Sequence, residues 1–509
     1  MLTRIFPYHR FTLLKIAILL LASPISGAKT MADDPWIEVT SPNFVFRSNG
    51  SVEDVKKLAY NLEAFRAAVS LITNARNLET DEPLNIIVLK DSRSLTKLGM
   101  NPNIAGFFLS GLRDDLVVMR GTKFSDTRTL LHEYVHYMMR NHSSLGYPMW
   151  YREGFAEYLG AANIVFDEIR IGLGQEDTTP ALRWGIWISM ERLLQADRLS
   201  HEWNTMQNAM FYAQSWAVVH YLQNRRSKRY PFRESMFDYI KRIESGESEL
   251  TAFEGAFGLT HIALNKKVKH YLGKGRFKYI KIELDRLLPD VTLDASTLPR
   301  HKAALELGQI ALLAESYDDA KMYYELATED EATHGEGLAG MGGALMGNEH
   351  TDQAKAYFLE ALALTPNNPY RHLDMANYWL SQAKNTDHQQ NKAEFFKLAQ
   401  AHYVKAWKLD KTIPETYVQY ADTFLQQGVR YEKALELLRE ADYLSPGHHI
   451  IRARLAEAYL GAGQIDDARK AANLVSTLTH GGGESTNRAK AVLDQIEVKE
   501  KQHPLKPLN

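Results

Sequence analysis

The sequence predicts an α+β domain over residues 29–285, a linker at 286–299, and an all-α repeat solenoid over 300–479. Three observations carry this reading. Short strand-like segments precede a long helical stretch in the first half of the chain. After Pro299, small residues recur at a period near 34. Gly481-Gly482-Gly483 then breaks the period before a polar helix, Thr486–Glu500, read with the tail (480–509) as a cap.

The chain has 509 residues, room for two or three domains. Lysine plus arginine (60) balance aspartate plus glutamate (62), so no global field argues for nucleic acid or an acidic membrane as partner. There is no cysteine, which excludes disulfides, a thiol nucleophile, cysteine-ligated zinc and a lipid-modified N-terminal cysteine. Residues 1–28 read as a secretory signal. Arg4, His9, Arg10 and Lys15 precede the apolar run Ile16–Ala22, and Ser26-Gly27-Ala28 supplies a cleavage site. The alternative is an uncleaved anchor, but the run falls well short of the roughly 20 residues that a spanning helix needs. The expectation is export, a periplasmic location, and no stable membrane span after cleavage.

Residues 29–35 read as a loose mature N-terminus. Trp36–Val39 and Asn43–Arg47 are strand candidates around Ser41-Pro42. Ser51-Val52-Glu53-Asp54 resembles a capping box. Val55, Leu58, Leu62, Phe65, Val69 and Ile72 then give one apolar stripe at helical spacing. Leu84–Leu89 reads as a buried strand. Asp115–Met119 reads as another buried strand, and at a sheet edge it would offer a place for an extended peptide to pair. Helices are predicted from near Ser125 to about residue 272, among them Ala209–Gln223.

In the second half, Ala320, Ala354, Ala399, Ala434 and Ala468 lie 34, 45, 35 and 34 residues apart. Ala327, Ala361, Ala406 and Ala441 follow the first four by seven, and Tyr324, Phe358, Tyr403 and Leu438 by four. Gly308 and Gly342 precede the first two by twelve. A helix pair cannot bury its apolar face alone, so stacked neighbours share one core. This is the tetratricopeptide signature, in about five units. The 45-residue interval is read as a longer loop around Lys384–Asn391. Such arrays commonly hold a peptide or protein in a concave groove, so a protein partner is expected, with simple bracing of the first domain as the alternative.

His132-Glu133-Tyr134-Val135-His136 matches H-E-x-x-H. On a helix, residues four apart project from one face, which sets two imidazoles where a tetrahedral zinc wants them. Glu133 is turned about 100° from His132 and suits a general base. The alternative is an amphipathic helix with two structural histidines.

Sixteen residues separate His136 from Glu153, inside Trp150-Tyr151-Arg152-Glu153-Gly154-Phe155-Ala156-Glu157-Tyr158. This arrangement resembles the gluzincin metallopeptidases, the thermolysin and leukotriene-hydrolase-like aminopeptidase group, in which W-x-x-E-G-F-A follows H-E-x-x-H. The resemblance covers about residues 36–225 and implies an α+β zincin-like fold. It further implies one Zn2+ per chain held by His132, His136 and Glu153, with Glu157 orienting a zinc histidine. Glu157 as the ligand in place of Glu153 is the rival assignment. Phe211-Tyr212-Ala213-Gln214 resembles the segment bearing that group's oxyanion-stabilising tyrosine, so Tyr212 takes that role, with a packing role as the alternative. His220 on the same helix is read as structural. The group's G-x-M-E-N stretch, whose glutamate binds a substrate amine, is replaced by Gly106-Phe107-Phe108-Leu109-Ser110-Gly111-Leu112-Arg113. The expected activity is therefore peptide-bond hydrolysis, as endopeptidase rather than aminopeptidase. A catalytically silent protease-like domain in a repeat-based assembly protein is the alternative, and hydrolysis of a non-peptide amide or ester is a third reading.

Overall fold

The computed structural model describes residues 29–502 apart from 74–82, 102–105, 114, 122–123, 142–145, 166, 175–177, 197–204, 226, 289–290 and 479–482. The signal expected at 1–28 lies outside the described residues. No helix among the described residues is long and apolar enough to cross a membrane.

A six-stranded mixed sheet organises the first domain. Its strands are β1 (Trp36–Thr40), β2 (Phe44–Ser48), β3 (Leu84–Leu89), β4 (Gly106–Ser110), β5 (Asp115–Arg120) and β9 (Asp294–Leu298), in the order β4-β5-β3-β2-β1-β9. The pairs β2–β3 and β3–β5 are parallel and the others antiparallel. A small sheet holds β6 (Asn163–Val165), β7 (Glu168–Ile171) and β8 (Ile280–Glu283). The helices are α1 (Val52–Thr73), α2 (Ser92–Thr96), α3 (Phe124–Asn141), α4 (Met149–Gly160), α5 (Thr178–Trp184), α6 (Met190–Leu194), α7 (Thr205–Asn224), α8 (Phe232–Glu244), α9 (Glu249–Phe257), α10 (His261–Gly273) and α11 (Leu284–Leu287). Asp54 N–H donates to Ser51 Oγ at 3.2 Å where α1 begins.

Alternation along the strands divides the core. Ile86, Val88, Val117 and Met119 face α1 and α3, while Ile87, Leu89, Leu116 and Val118 face the first repeat helices. A strand buried on both faces reads as a continuous apolar run, which is why Leu84–Leu89 shows no alternation.

Four expectations are corrected. Asp115–Met119 lies inside the sheet, with β4 as the edge strand on that side. Its four central residues are all buried, and Gly106–Ser110 covers its free side. The linker at 286–299 contains β9, which pairs with β1 from Trp36↔Leu298 to Thr40↔Asp294. Residues 29–35 are pinned: Met31 and Ala32 are buried, and Trp36 Nε1 donates to Met31 O at 2.8 Å. The 45-residue interval is absorbed by longer helices instead of a long loop.

The solenoid has five helix pairs. They are α12 (Arg300–Leu313) and α13 (Tyr317–Ala327); α14 (Glu331–Gly347) and α15 (Thr351–Leu364); α16 (Pro369–Asn385) and α17 (Gln389–Leu409); α18 (Pro414–Leu425) and α19 (Tyr431–Leu444); α20 (His449–Gly461) and α21 (Ile465–Leu478). A last helix, α22 (Glu484–Gln502), packs on α20 and α21. Helices α16 and α17 have 17 and 21 residues against 12 and 14 in the next pair. All five alanine landmarks are fully buried on the second helix of their pair. A Cβ at Gly342 would sit 2.6 Å from the Phe358 ring, so this glycine lets the aromatic four residues after the landmark lie against the first helix.

Candidate metal centre

Helix α3 carries His132, Glu133 and His136, and α4 packs across it carrying Glu153 and Glu157. Two glycines set how closely the helices approach. A Cβ at Gly160 would lie 3.1 Å from the His132 backbone, and one at Gly154 would lie 2.4 Å from Ser215 O on α7. The three helices therefore meet through backbone, which brings side chains from separate elements to one point.

At that point His132 Nε2 and His136 Nε2 are 3.0 Å apart. Glu153 Oε2 lies 3.6 Å from the first and 3.3 Å from the second. Among the described residues these three form a group of possible metal ligands, with their ligand atoms all within 4.8 Å of one another. A tetrahedral zinc with bonds of about 2.0–2.1 Å separates its ligands by about 3.3 Å, so the triangle has the right size. Glu153 and His136 are buried and His132 half-buried.

The electrostatics ask for a cation at the same place. Burial disfavours charge on His132, but Glu153 and Glu157 outweigh it and carry the imidazole up to about 10. His136 is held down to about 4 by burial, despite Glu153. One positive charge thus sits between two imidazoles and a carboxylate, where a bound divalent ion would displace the proton. The residues present fit zinc.

Glu157 meets the other edge of the His132 ring, Oε1 lying 3.2 Å from Nδ1. It is also 2.6 Å from Arg128 Nη2. Burial would raise its carboxyl, but His132 and then Arg128 hold it down to about 2. Facing Nδ1, Glu157 fixes the ring's direction and leaves Nε2 turned toward Glu153, the carboxylate that faces both Nε2 atoms. Tyr212 on α7 is half-buried, its ring centroid 6.3 Å from that of His132. Glu133 is also half-buried. His220 is fully buried, with Nε2 2.8 Å from Gly172 O and Nδ1 accepting from Tyr271 Oη at 2.8 Å. Both ring nitrogens are used in packing contacts.

Sequence reasoning missed Arg152. It is buried, and its Nη2 lies 3.4 Å from Glu153 Oε1, steadying the carboxylate from the side away from the histidines. No local signal marks it, because its role depends on where Glu153 lies in the fold. An apolar cavity of 740 Å³, lined in part by Val135, Met138, Tyr151 and Phe155, contains none of the three ligands in its wall.

Tetratricopeptide-repeat family models match residues 336–368 and 430–480. With the five helix pairs, these make residues 300–478 a tetratricopeptide array, an architecture for protein interaction and assembly. Similar solved structures include a thermophilic tetratricopeptide protein, TTC0263, from Thermus thermophilus. It is 18% identical, with a TM-score of 0.35, covering 38% of this chain and 98% of that one. The type IV pilus biogenesis factor PilW is 16% identical, TM-score 0.31, covering 41% and 95%. PilF of Pseudomonas aeruginosa is 13% identical, TM-score 0.31, covering 40% and 93%. Comparison with curated proteins gives no match.

Proposed function

We propose that this chain is an exported zinc-dependent peptidase of gluzincin type whose tetratricopeptide array recruits a substrate or partner protein. The observation that carries the reading is the triangle of His132 Nε2, His136 Nε2 and Glu153 Oε2, with sides of 3.0, 3.3 and 3.6 Å. Two histidines and one carboxylate are a catalytic ligand set, because they leave a fourth position for water or substrate. Bound zinc lowers the pKa of water towards neutrality and polarises a carbonyl.

The chain's own residues then have separate tasks. Glu133 takes the proton of the attacking water and returns it to the leaving amine. Tyr212 donates a hydrogen bond to the oxygen on which charge develops. Glu157 and Arg152 hold His132 and Glu153 in direction.

The test is zinc content of the purified mature chain beside Glu153→Ala and Glu133→Gln. About one zinc per chain is expected, lost in Glu153→Ala and kept in Glu133→Gln. Turnover of a peptide library should fall about 10²–10⁴-fold in Glu133→Gln. A wild type that holds no zinc when zinc is supplied sinks the reading. Zinc binding without turnover, together with partner capture indifferent to Glu133→Gln, favours a silent domain in an assembly protein, the reading to which the array lends support.

A further inference from the structure

The turn between β4 and β5 leaves the sheet and enters the array. Arg113 Nε and Nη2 lie 2.8 and 3.2 Å from the two oxygens of Glu415, and Nη1 lies 3.1 Å from Asp374 Oδ1. The guanidinium sits 5.2 Å from the centre of the Tyr370 ring. Leu112 packs against the core of the last two repeats. One side chain from the first domain is thus gripped by two carboxylates and an aromatic face of the second.

The receiving pocket is built by the array itself. Asp374 comes from α16 and Glu415 from α18, the first helices of consecutive pairs. Asn377 Nδ2 donates to Glu415 Oε1 at 2.9 Å, and Tyr403 Oη donates to Asn377 Oδ1 at 2.7 Å. Arg371 lies 3.3 Å from Asp374 Oδ2. The two carboxylate side chains are only 11% and 9% exposed. Two nearly buried anions with one nearby array cation demand a further cation, and the paired oxygens of Glu415 match a guanidinium fork better than an ammonium.

The other end of the same hairpin touches the metal-site helix. Phe108 on β4 meets Tyr137 edge-on with centroids 5.6 Å apart, and Tyr137 follows His136. β4 is one of the two edge strands of the sheet.

We propose that the Asp374–Glu415 pocket is a docking site for an arginine-bearing loop of a partner protein, which the β4–β5 hairpin fills in cis. A partner presenting an aliphatic residue followed by arginine competes with Leu112-Arg113 and frees β4 beside α3. Because the hairpin is tethered, its effective concentration is on the order of millimolar, so a short peptide competes poorly and a real partner needs further contacts along the array. The inference rests on the array's proposed role in recruiting a partner and is independent of zinc.

The test uses the full mature chain and a fluorescein-labelled peptide copying residues 107–115, read by polarisation. The double variant Leu112→Ser, Arg113→Ser should bind this probe about tenfold or more tightly than wild type. Adding Glu415→Gln to it should abolish binding, as should a probe lacking the arginine. Arg113→Lys, which keeps the charge and guards against a misfolded double variant, should give intermediate affinity. In the double variant, whose hairpin has lost both anchors, amide exchange across Gly106–Ser110 should be faster than in wild type. Equal affinity for wild type and both Arg113 variants overturns the proposal, as does binding that survives Glu415→Gln. Exchange in β4 that is unchanged in the double variant overturns the coupling to α3.

Discussion

Gly154→Ala is a one-carbon change with a large expected effect. The added Cβ would lie 2.4 Å from Ser215 O, 2.6 Å from Ser215 C and 2.8 Å from Val219 Cγ2. The first two are backbone atoms in the interior of α7, held by its own hydrogen bonds, so the side chain cannot swing clear. An ordinary contact is nearer 3.4 Å, so α4 and α7 must part by about 1 Å, an overpacking cost of about 1–3 kcal/mol. At about 2–4 °C per kcal/mol, the midpoint of thermal unfolding should fall by about 2–12 °C. Trp150 and Trp216 are fully buried on these helices, so tryptophan fluorescence reports the melt. Glu153 is the neighbouring residue, and a displacement far beyond the roughly 0.2 Å tolerance of a metal–ligand bond should weaken zinc by about tenfold or more. The control is Gly335→Ala, also helical, whose Cβ would meet nothing closer than 3.8 Å; it should be neutral or gain up to about 1 kcal/mol. If Gly154→Ala melts with wild type and keeps its zinc, the close α4–α7 contact is not what positions Glu153.

Glu157→Gln should keep the fold but lower zinc affinity about 10–100-fold, measured by chelator competition, because His132 Nδ1 loses its carboxylate partner. Asp422 is fully buried between Lys384 (2.7 Å) and Arg454 (3.3 Å). Burial alone would raise its carboxyl, but Arg454 and Lys384 hold it below the usual range. A depressed carboxylate contributes stability above its unfolded pKa, about 3.9, and loses it as pH falls through the lower folded value. Asp422→Asn should therefore cost about 3 kcal/mol near neutral pH, and acid titration followed by circular dichroism should show the gap to wild type closing below about pH 4. Ala399→Leu should destabilise the third repeat by about 1–3 kcal/mol in denaturant melts, since this landmark is fully buried in the α16–α17 core.

The parts of this molecule legible from sequence are those whose geometry is local. His132 and His136 share one helix, so four residues of spacing already determine that their rings converge. The repeats were legible for a related reason: each landmark packs within its own pair or against the next, so the contact distance recurs as a sequence distance. Where the period stretched to 45, the sequence pointed to a loop at Lys384–Asn391, because polar composition does not distinguish an exposed helix end from a loop. The structure continues both helices instead.

What the sequence could not determine depends on contacts between distant segments. β9 pairs with β1 across the length of the first domain, and nothing local in Asp294–Leu298 marks it as a strand. The edge position passed from β5 to β4 because strand order is a property of the whole sheet. Gly154, Gly160 and Arg152 matter through what lies opposite them, namely Ser215, His132 and Glu153. Arg113 is the plainest case, since a turn residue acquires its partners, Asp374 and Glu415, only when the array folds back over the sheet. Local spacing, then, determined the histidine pair and the repeat. The resemblance already favoured Glu153 over Glu157; tertiary structure shows its Oε2 facing both histidine Nε2 atoms, and it alone decided what fills the Asp374–Glu415 pocket, because such contacts depend on where independent elements cross.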